Sequence, residues 1–298
     1  MGMQFRTPLR WLVTAIFLLA LGAAGAGLFW SGEGQPYPFT SARGEAVMLA
    51  GRGLYRYDTV SLAAQEQAND LITLVLGLPL LAVSARLAWR GSLRGGLLLA
   101  GTLGFFLYTY LSMAMYAAYN PLFLVYVALL TLSLFAFVLC LMSFETAALP
   151  GRFSERLPRR AIATLLFAAG GFLLLAWLGR ILPPLFQGQT PALENATTLV
   201  IQAMDLGLVA PASFLAGVLL LRRRPWGYLL AAVLLMKFLT MGAAVSSMGL
   251  NMLRVGVPVS PMELGFFPAL TLANAVLAVL LLRSVRPINQ LPPAEGTG

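Results

Sequence analysis

Histidine is absent from the 298 residues, and cysteine and lysine each occur once. Without imidazole, His-ligated haem, the usual catalytic zinc sites and His-based triads all lose their central group. Cys140 stands alone inside an apolar run, which leaves no intramolecular disulfide and no cysteine metal cluster. A glycine-rich phosphate loop ending in Lys-Ser or Lys-Thr is also missing, so nucleotide hydrolysis would have to come from a partner. Charge itself is scarce. Only 10% of the residues are Asp, Glu, Lys or Arg, against about 25% in soluble domains. No catalytic residue, metal or cofactor is expected from this inventory.

What fills the chain is apolar: 59% of the residues are hydrophobic and the mean hydropathy is +0.82. A bilayer core of roughly 30 Å is crossed by about 20 apolar residues. Eight windows approach that length: 9–30, 69–89, 96–118, 122–143, 161–183, 199–221, 227–249 and 264–283. The first resembles a signal peptide only superficially. It is long, follows just two arginines and lacks a clear small-x-small site before FWSGEGQPYPF, so a signal-anchor helix is expected.

The net charge of +9 and pI of about 10.3 would suit a nucleic-acid binder, but the arginines cluster at window ends, and no nucleic acid is expected. With the N-terminus in the cytoplasm, Arg6, Arg10, Arg86, Arg90, Arg94, Arg152, Arg156, Arg159, Arg160, Arg222, Arg223, Arg224, Arg283 and Arg286 all fall inside, and only Arg43, Arg52, Arg56, Arg180 and Arg254 fall outside. The positive-inside bias predicts a multi-pass inner (plasma) membrane protein with both termini cytoplasmic. The lipid bilayer is its first partner, with secondary attraction to anionic headgroups.

A pentapeptide recurs in this chain. QANDL at 67–71 returns as QAMDL at 202–206, each before a long apolar run. Aligned from Gly96 and Gly227 onward, Leu98 meets Leu229, Ala100 meets Ala231, Thr109 meets Thr240, Asn120 meets Asn251, and Phe106 stands opposite Lys237. The fold class expected is an all-α integral membrane protein of eight transmembrane helices in two parallel four-helix repeats. Residues 1–150 form the first repeat, 151–288 the second, and 289–298 a disordered tail. An even number of helices per repeat puts the pseudo-twofold axis along the membrane normal. The outer segment 31–68 has no long counterpart, and EAVMLAGRGLYRYDTV within it reads as strand, turn and strand, a small hairpin-like cap.

Polar groups inside apolar windows are costly, and they carry the functional reading. Lys237 lies about ten residues into the seventh window, near the midplane. Unlike Arg, Lys sheds its charge readily on burial, which suits proton coupling or the binding of an anionic substrate; a long stem reaching the headgroups, or pairing with Asn274, is the structural alternative. Asn274 sits mid-way along the eighth window, where an amide bridges helices or touches a ligand. Asp70 and Asp205 are expected in the first turns of their helices, where a carboxylate complements the helix N-terminus, with Gln67 and Gln202 helping; they would alternatively line an outer vestibule. Glu263 starts the eighth window in the same way, and Glu66 adds to this outer acidic group. Pro79 and Pro211 interrupt the second and sixth windows.

The reading that follows is a small-solute transporter or permease component with a midplane lysine, acting on an unidentified solute. Two alternatives stand beside it. One is a membrane-embedded enzyme with an outer-face acidic site. The other is an accessory or assembly subunit in which Lys237 pairs with an acid of a membrane protein partner.

Overall fold

The computed structural model describes residues 5–286; the expected tail at 289–298 lies outside them. Eight helices among the described residues are long and apolar enough to cross a membrane. Span 1 is Arg6–Phe29, span 2 Val60–Trp89, span 3 Leu93–Met115 and span 4 Phe123–Met142. Span 5 is Arg159–Phe186, span 6 Val200–Leu221, span 7 Pro225–Arg254 and span 8 Pro261–Arg283. The two ends of the bundle are called here the cap end and the arginine-rich end.

Span 2 starts nine residues before its apolar window, about two and a half turns, because Thr59 caps it, its hydroxyl accepting the Leu62 N–H at 3.2 Å. QANDL therefore lies well inside the helix rather than opening it. The polar first turns pack along span 7, where the Asn251 amide donates to the Ala64 carbonyl at 2.8 Å. Serines start two further spans: Ser92 accepts from Gly95 N–H, and Ser260 forms a capping box with Glu263.

Spans 2 and 6 share a backbone irregularity. Each contains one wide π turn, Thr73–Gly77 and Asp205–Val209. It is closed by Leu78 N–H to the Thr73 carbonyl in one and Ala210 N–H to the Asp205 carbonyl in the other, and each closing residue directly precedes a proline, Pro79 or Pro211. The proline ring clashes with the carbonyl four residues back and offers no N–H; widening the preceding turn relieves both problems. The two turns are 132 residues apart, whereas the pentapeptides are 135 apart. The same interval of 132 relates Gly95 to Gly227. A Cβ on Gly95 would press on Leu87 and Ala88, and one on Gly227 on Leu219 and Leu220, at 2.3–2.5 Å. It also relates the two residues with left-handed backbone in the intervening turns, Gly91 (φ 80°) and Arg223 (φ 53°).

Span 7 is the hub, packing on spans 2, 3, 6 and 8. Its crossing with span 3 is self-complementary. Gly101 faces Met236 with space for no Cβ, which would stand 2.3 Å from the Met236 Cβ, and Gly104 faces Val233 at 3.5 Å. Shifting by 132 turns each of these contacts into the other.

The two groups of four helices differ in closure. Spans 1 to 4 form a ring in which spans 1 and 4 pack along each other. Within it Phe106, Tyr110 and Tyr126 stack in succession, with ring centroids 6.2 and 6.3 Å apart. Spans 5 and 8 touch far less, chiefly through Phe172, Phe266 and Phe267, with ring centroids 4.9 to 6.1 Å apart.

At the cap end, β1 (Tyr37–Thr40) and β2 (Ala46–Leu49) form an antiparallel hairpin with Tyr37 opposite Leu49. The expected partner of β2 was the following segment, and that pairing survives only as an isolated bridge from Leu49 to Thr59. Residues 54 and 55 turn inward instead, burying Leu54 and Tyr55 in the bundle. Gly51 and Gly53, both at φ 71°, supply the left-handed backbone this reversal needs. The cap also grips the loop between spans 5 and 6: both oxygens of Glu45 accept backbone N–H groups, Leu193 at 3.1 Å and Glu194 at 3.0 Å. Thr59 donates to Glu194, and Asn195 donates to the Tyr57 carbonyl at 2.9 Å.

Candidate functional site

The open side of the second helix group holds a cavity of about 680 Å³. Spans 2, 3, 5, 6, 7 and 8 all contribute to its wall. It runs from Lys237 toward the cap end, where Gln65, Val259 and exposed Glu263 lie at its rim. Beneath Lys237 the tight crossing of Gly101 on Met236 closes it toward the arginine-rich end.

Lys237 is the thirteenth residue of span 7, about 18 Å from the helix start at 1.5 Å per residue. It is 7% exposed and lines the cavity. Its ammonium contacts are soft ones. Nζ donates to the Met241 sulfur at 2.9 Å and lies over the Tyr108 ring, 3.6 Å from the centroid. Among the described residues the ion pairs are Arg159–Glu155 and Arg223–Glu155, both at the arginine-rich end, so Lys237 belongs to neither.

The ring beneath that ammonium leads to an acid. Tyr108 donates to Asp205 Oδ1 at 2.8 Å, and the Trp177 indole N–H donates to Oδ2 at 2.9 Å. Asp205, 0% exposed, is thus held by one donor on each oxygen and is separated from Lys237 by one tyrosine. A depth count leaves Asp205 near the surface; burial of span 6 and the reach of Tyr108 bring it to the lysine. It begins the π turn, so its carbonyl serves the backbone and its side chain serves the cavity. Capping does not describe it.

Asp70 has a different setting. Tyr55 donates to its Oδ2 at 2.5 Å, and Gly27 of span 1 comes so close that a Cβ there would overlap the carboxylate. Tyr126 stands 3.5 Å from the Tyr55 hydroxyl and stacks on Tyr110. This aspartate is a buried anchor for the cap in the closed half, remote from capping and outside the cavity wall. Glu66 lines the cavity and is buried, with Oε2 accepting no hydrogen bond. Asp58, just before span 2, contacts Glu66 and accepts the Ala118 N–H at 2.8 Å. Burial pushes the Asp58 carboxyl up to about 6, while its bond to Ala118 opposes that rise.

The structure therefore brings Lys237, Asp205 and, at the rim, Glu263 to one cavity. Gln67, Gln202, Asp70 and Asn274 are not in its wall. Asn274 is fully buried and donates to the Leu270 carbonyl of its own helix at 2.8 Å, with Oδ1 unpaired; the contact expected with Lys237 is replaced by Met241 and Tyr108. Pattern reading passes over Trp177, and it takes Tyr108, with the other tyrosines of span 3, for an interface anchor. A sequence signal existed for Trp177: an indole N–H inside an apolar run needs an acceptor, and acidic acceptors in these spans are few. Comparison with protein-family models, curated proteins and solved structures found no match for this chain.

Proposed function

We propose that the protein binds a small anionic solute in the cavity ending at Lys237 and carries it across the membrane, as a transporter or permease component built by duplication of a four-helix unit. The observation that carries this reading is the position of Lys237: at mid-depth, at the floor of a cavity that reaches the cap end, with a thioether and an aromatic ring as its only close partners among the described residues. A charge held at such depth costs a few kcal/mol at least, which is difficult to account for without use. Duplication is supported by the shared interval of 132 residues at the π turns, the Gly95 and Gly227 contacts and the crossing of spans 3 and 7. In that register Lys237 stands opposite Phe105, one residue from the pairing the sequence alignment suggests. The arginine distribution supports cytoplasmic termini, which makes the cavity outward-facing. Lys237 faces the cavity rather than lipid, and this weighs against its serving as a socket for a partner's acid.

Lys237→Met retains the stem volume and removes the ammonium. Uptake of a panel of organic anions into proteoliposomes should fall to background in this variant, while its thermal unfolding midpoint in detergent stays level or rises, since an unpaired buried charge is removed. Unchanged uptake together with a large loss of stability would make Lys237 structural and end the transport reading.

A further inference from the structure

The wall of the cavity names the kind of molecule it fits. Most of the lining is methionine, phenylalanine and aliphatic, Phe105, Met113, Phe172, Met241, Met248 and Phe267 being typical; its polar part beside Lys237 and Asp205 is Glu66 and a few neutral hydroxyl and amide groups such as Asn69, Thr109 and Ser246. A wall so largely apolar gives a hydrophilic ion little in exchange for its hydration, whereas it gains from burying hydrocarbon, about 25 cal/mol per Å². Methionines adapt to varied apolar shapes. The Asp205 oxygens are already occupied, one by Tyr108 and one by Trp177, so this acid is engaged with the wall itself. Lys237 is left as the cation whose present contacts are weak acceptors.

The path to that cation is the second observation. In the closed half, spans 1 and 4 pack along each other, but their counterparts, spans 8 and 5, meet mainly through Phe172 against Phe266 and Phe267. Phe172 and Phe266 are 36% and 39% exposed, and both line the cavity at the contact between spans 5 and 8. Phe172 is the fourteenth residue of span 5, about 20 Å along it, so it stands at nearly the depth of Lys237.

We propose, on the basis of the transport reading above, that the ligand is an amphipathic organic anion. Its single anionic group sits at Lys237, its hydrocarbon lies against the methionines and phenylalanines, and it is admitted from the bilayer between spans 5 and 8 by rotation of Phe172 and Phe266. An aliphatic carboxylate dissolved in the membrane and one arriving from water at the cap end share this chemistry; the route between spans 5 and 8 distinguishes them.

The test uses 11-bromoundecanoate, whose bromine quenches tryptophan, with the full chain in phosphatidylcholine vesicles. Trp177 lines the cavity, so the difference between the wild type and Trp177→Phe isolates quenching there from quenching of other tryptophans. Saturable quenching of Trp177 is expected, weakened at least tenfold in both Lys237→Met and Lys237→Gln, and weak for the uncharged 11-bromoundecanol. Equal quenching by acid and alcohol, or no effect of either Lys237 variant, would overturn the ligand class. In a Cys140→Ala background, Phe172→Cys with Phe266→Cys joined by a short bifunctional thiol reagent should slow the onset of quenching by the acid several-fold, compared with the unjoined double variant. An unchanged onset would overturn the route through the bilayer. Uptake is measured on the same vesicles: saturable binding without transfer across the membrane sinks the transport reading alone, and Lys237-dependent transfer of a hydrophilic anion without binding of the bromo acid sinks this inference alone.

Discussion

Lys237, Asp205, Asp70 and Asp58 are all buried, and each is treated differently by its surroundings. Asp205 and Asp70 receive side-chain donors, Lys237 a sulfur and a ring, and Asp58 one backbone N–H with its second oxygen unpaired. For Asp58 the sign is clear. Its carboxyl is raised from 3.8 to about 6 in the folded protein, so the neutral form is favoured there. The associated stability is complete below about pH 4 and is lost as pH rises through 6, on the order of 3 kcal/mol. Thermal unfolding in detergent should therefore show the wild type losing stability between pH 4.5 and 7 relative to Asp58→Asn, in which this component is missing; parallel pH curves would refute it. At this scale the sequence was half legible. The solitary lysine in an apolar run could be found by cost alone, because no other residue explains it. The acids could not be sorted, since Asp70 and Asp205 occur in nearly identical pentapeptides and only Tyr55, Tyr108 and Trp177, distant in the chain, make one an anchor and the other part of a cavity wall.

Among the elements, hydrophobic run length identified every span, because a bilayer-length apolar stretch has few other uses. Boundaries at the cap end were less visible. The first turns of span 2, VSLAAQEQAND, are too polar to be recognised by hydropathy, and they are helical because span 7 extends beyond the apolar zone to cover them. The hairpin was legible in kind and wrong in partner, since the burial of Tyr55 depends on an acid fifteen residues later. The crossing of spans 3 and 7 is the most sensitive contact at this scale. Gly101→Val would drive a branched side chain into Met236, and a cost of roughly 1–3 kcal/mol is expected from overpacking. Gly22→Val on span 1, where a Cβ meets nothing within 4 Å, is the matched control. Equal unfolding midpoints for the two variants would mean that the crossing yields without cost.

Across the whole molecule, spans 1 to 4 close on themselves while a cavity opens between spans 5 to 8 and the facing sides of spans 2 and 3, and the cap emerging from the first group reaches over to hold the second. The Glu45 carboxylate carries much of that grip, because hydrogen bonds to a charged acceptor are stronger than neutral ones. Glu45→Ala should loosen the 187–199 loop, raising its rate of limited proteolysis several-fold while leaving the unfolding midpoint nearly unchanged; an unaltered cleavage rate would place the grip elsewhere. At the arginine-rich end Arg94 donates to the Val285 carbonyl at 2.8 Å, so the two groups are tied at both ends.

The paired π turns have a consequence for aim. A π turn is an α-helix carrying one inserted residue, and at 3.6 residues per turn one insertion rotates the helix on one side relative to the other by roughly 100°. In span 6 the insertion begins at Asp205, so it sets the azimuth of that carboxylate against everything beyond Pro211, which is fixed by packing on spans 5 and 7. The same insertion in span 2 begins at Thr73. Two helices thus carry an identical angular offset, and the residue placed at its start, threonine in one and aspartate in the other, is where the closed half and the open half part in chemistry.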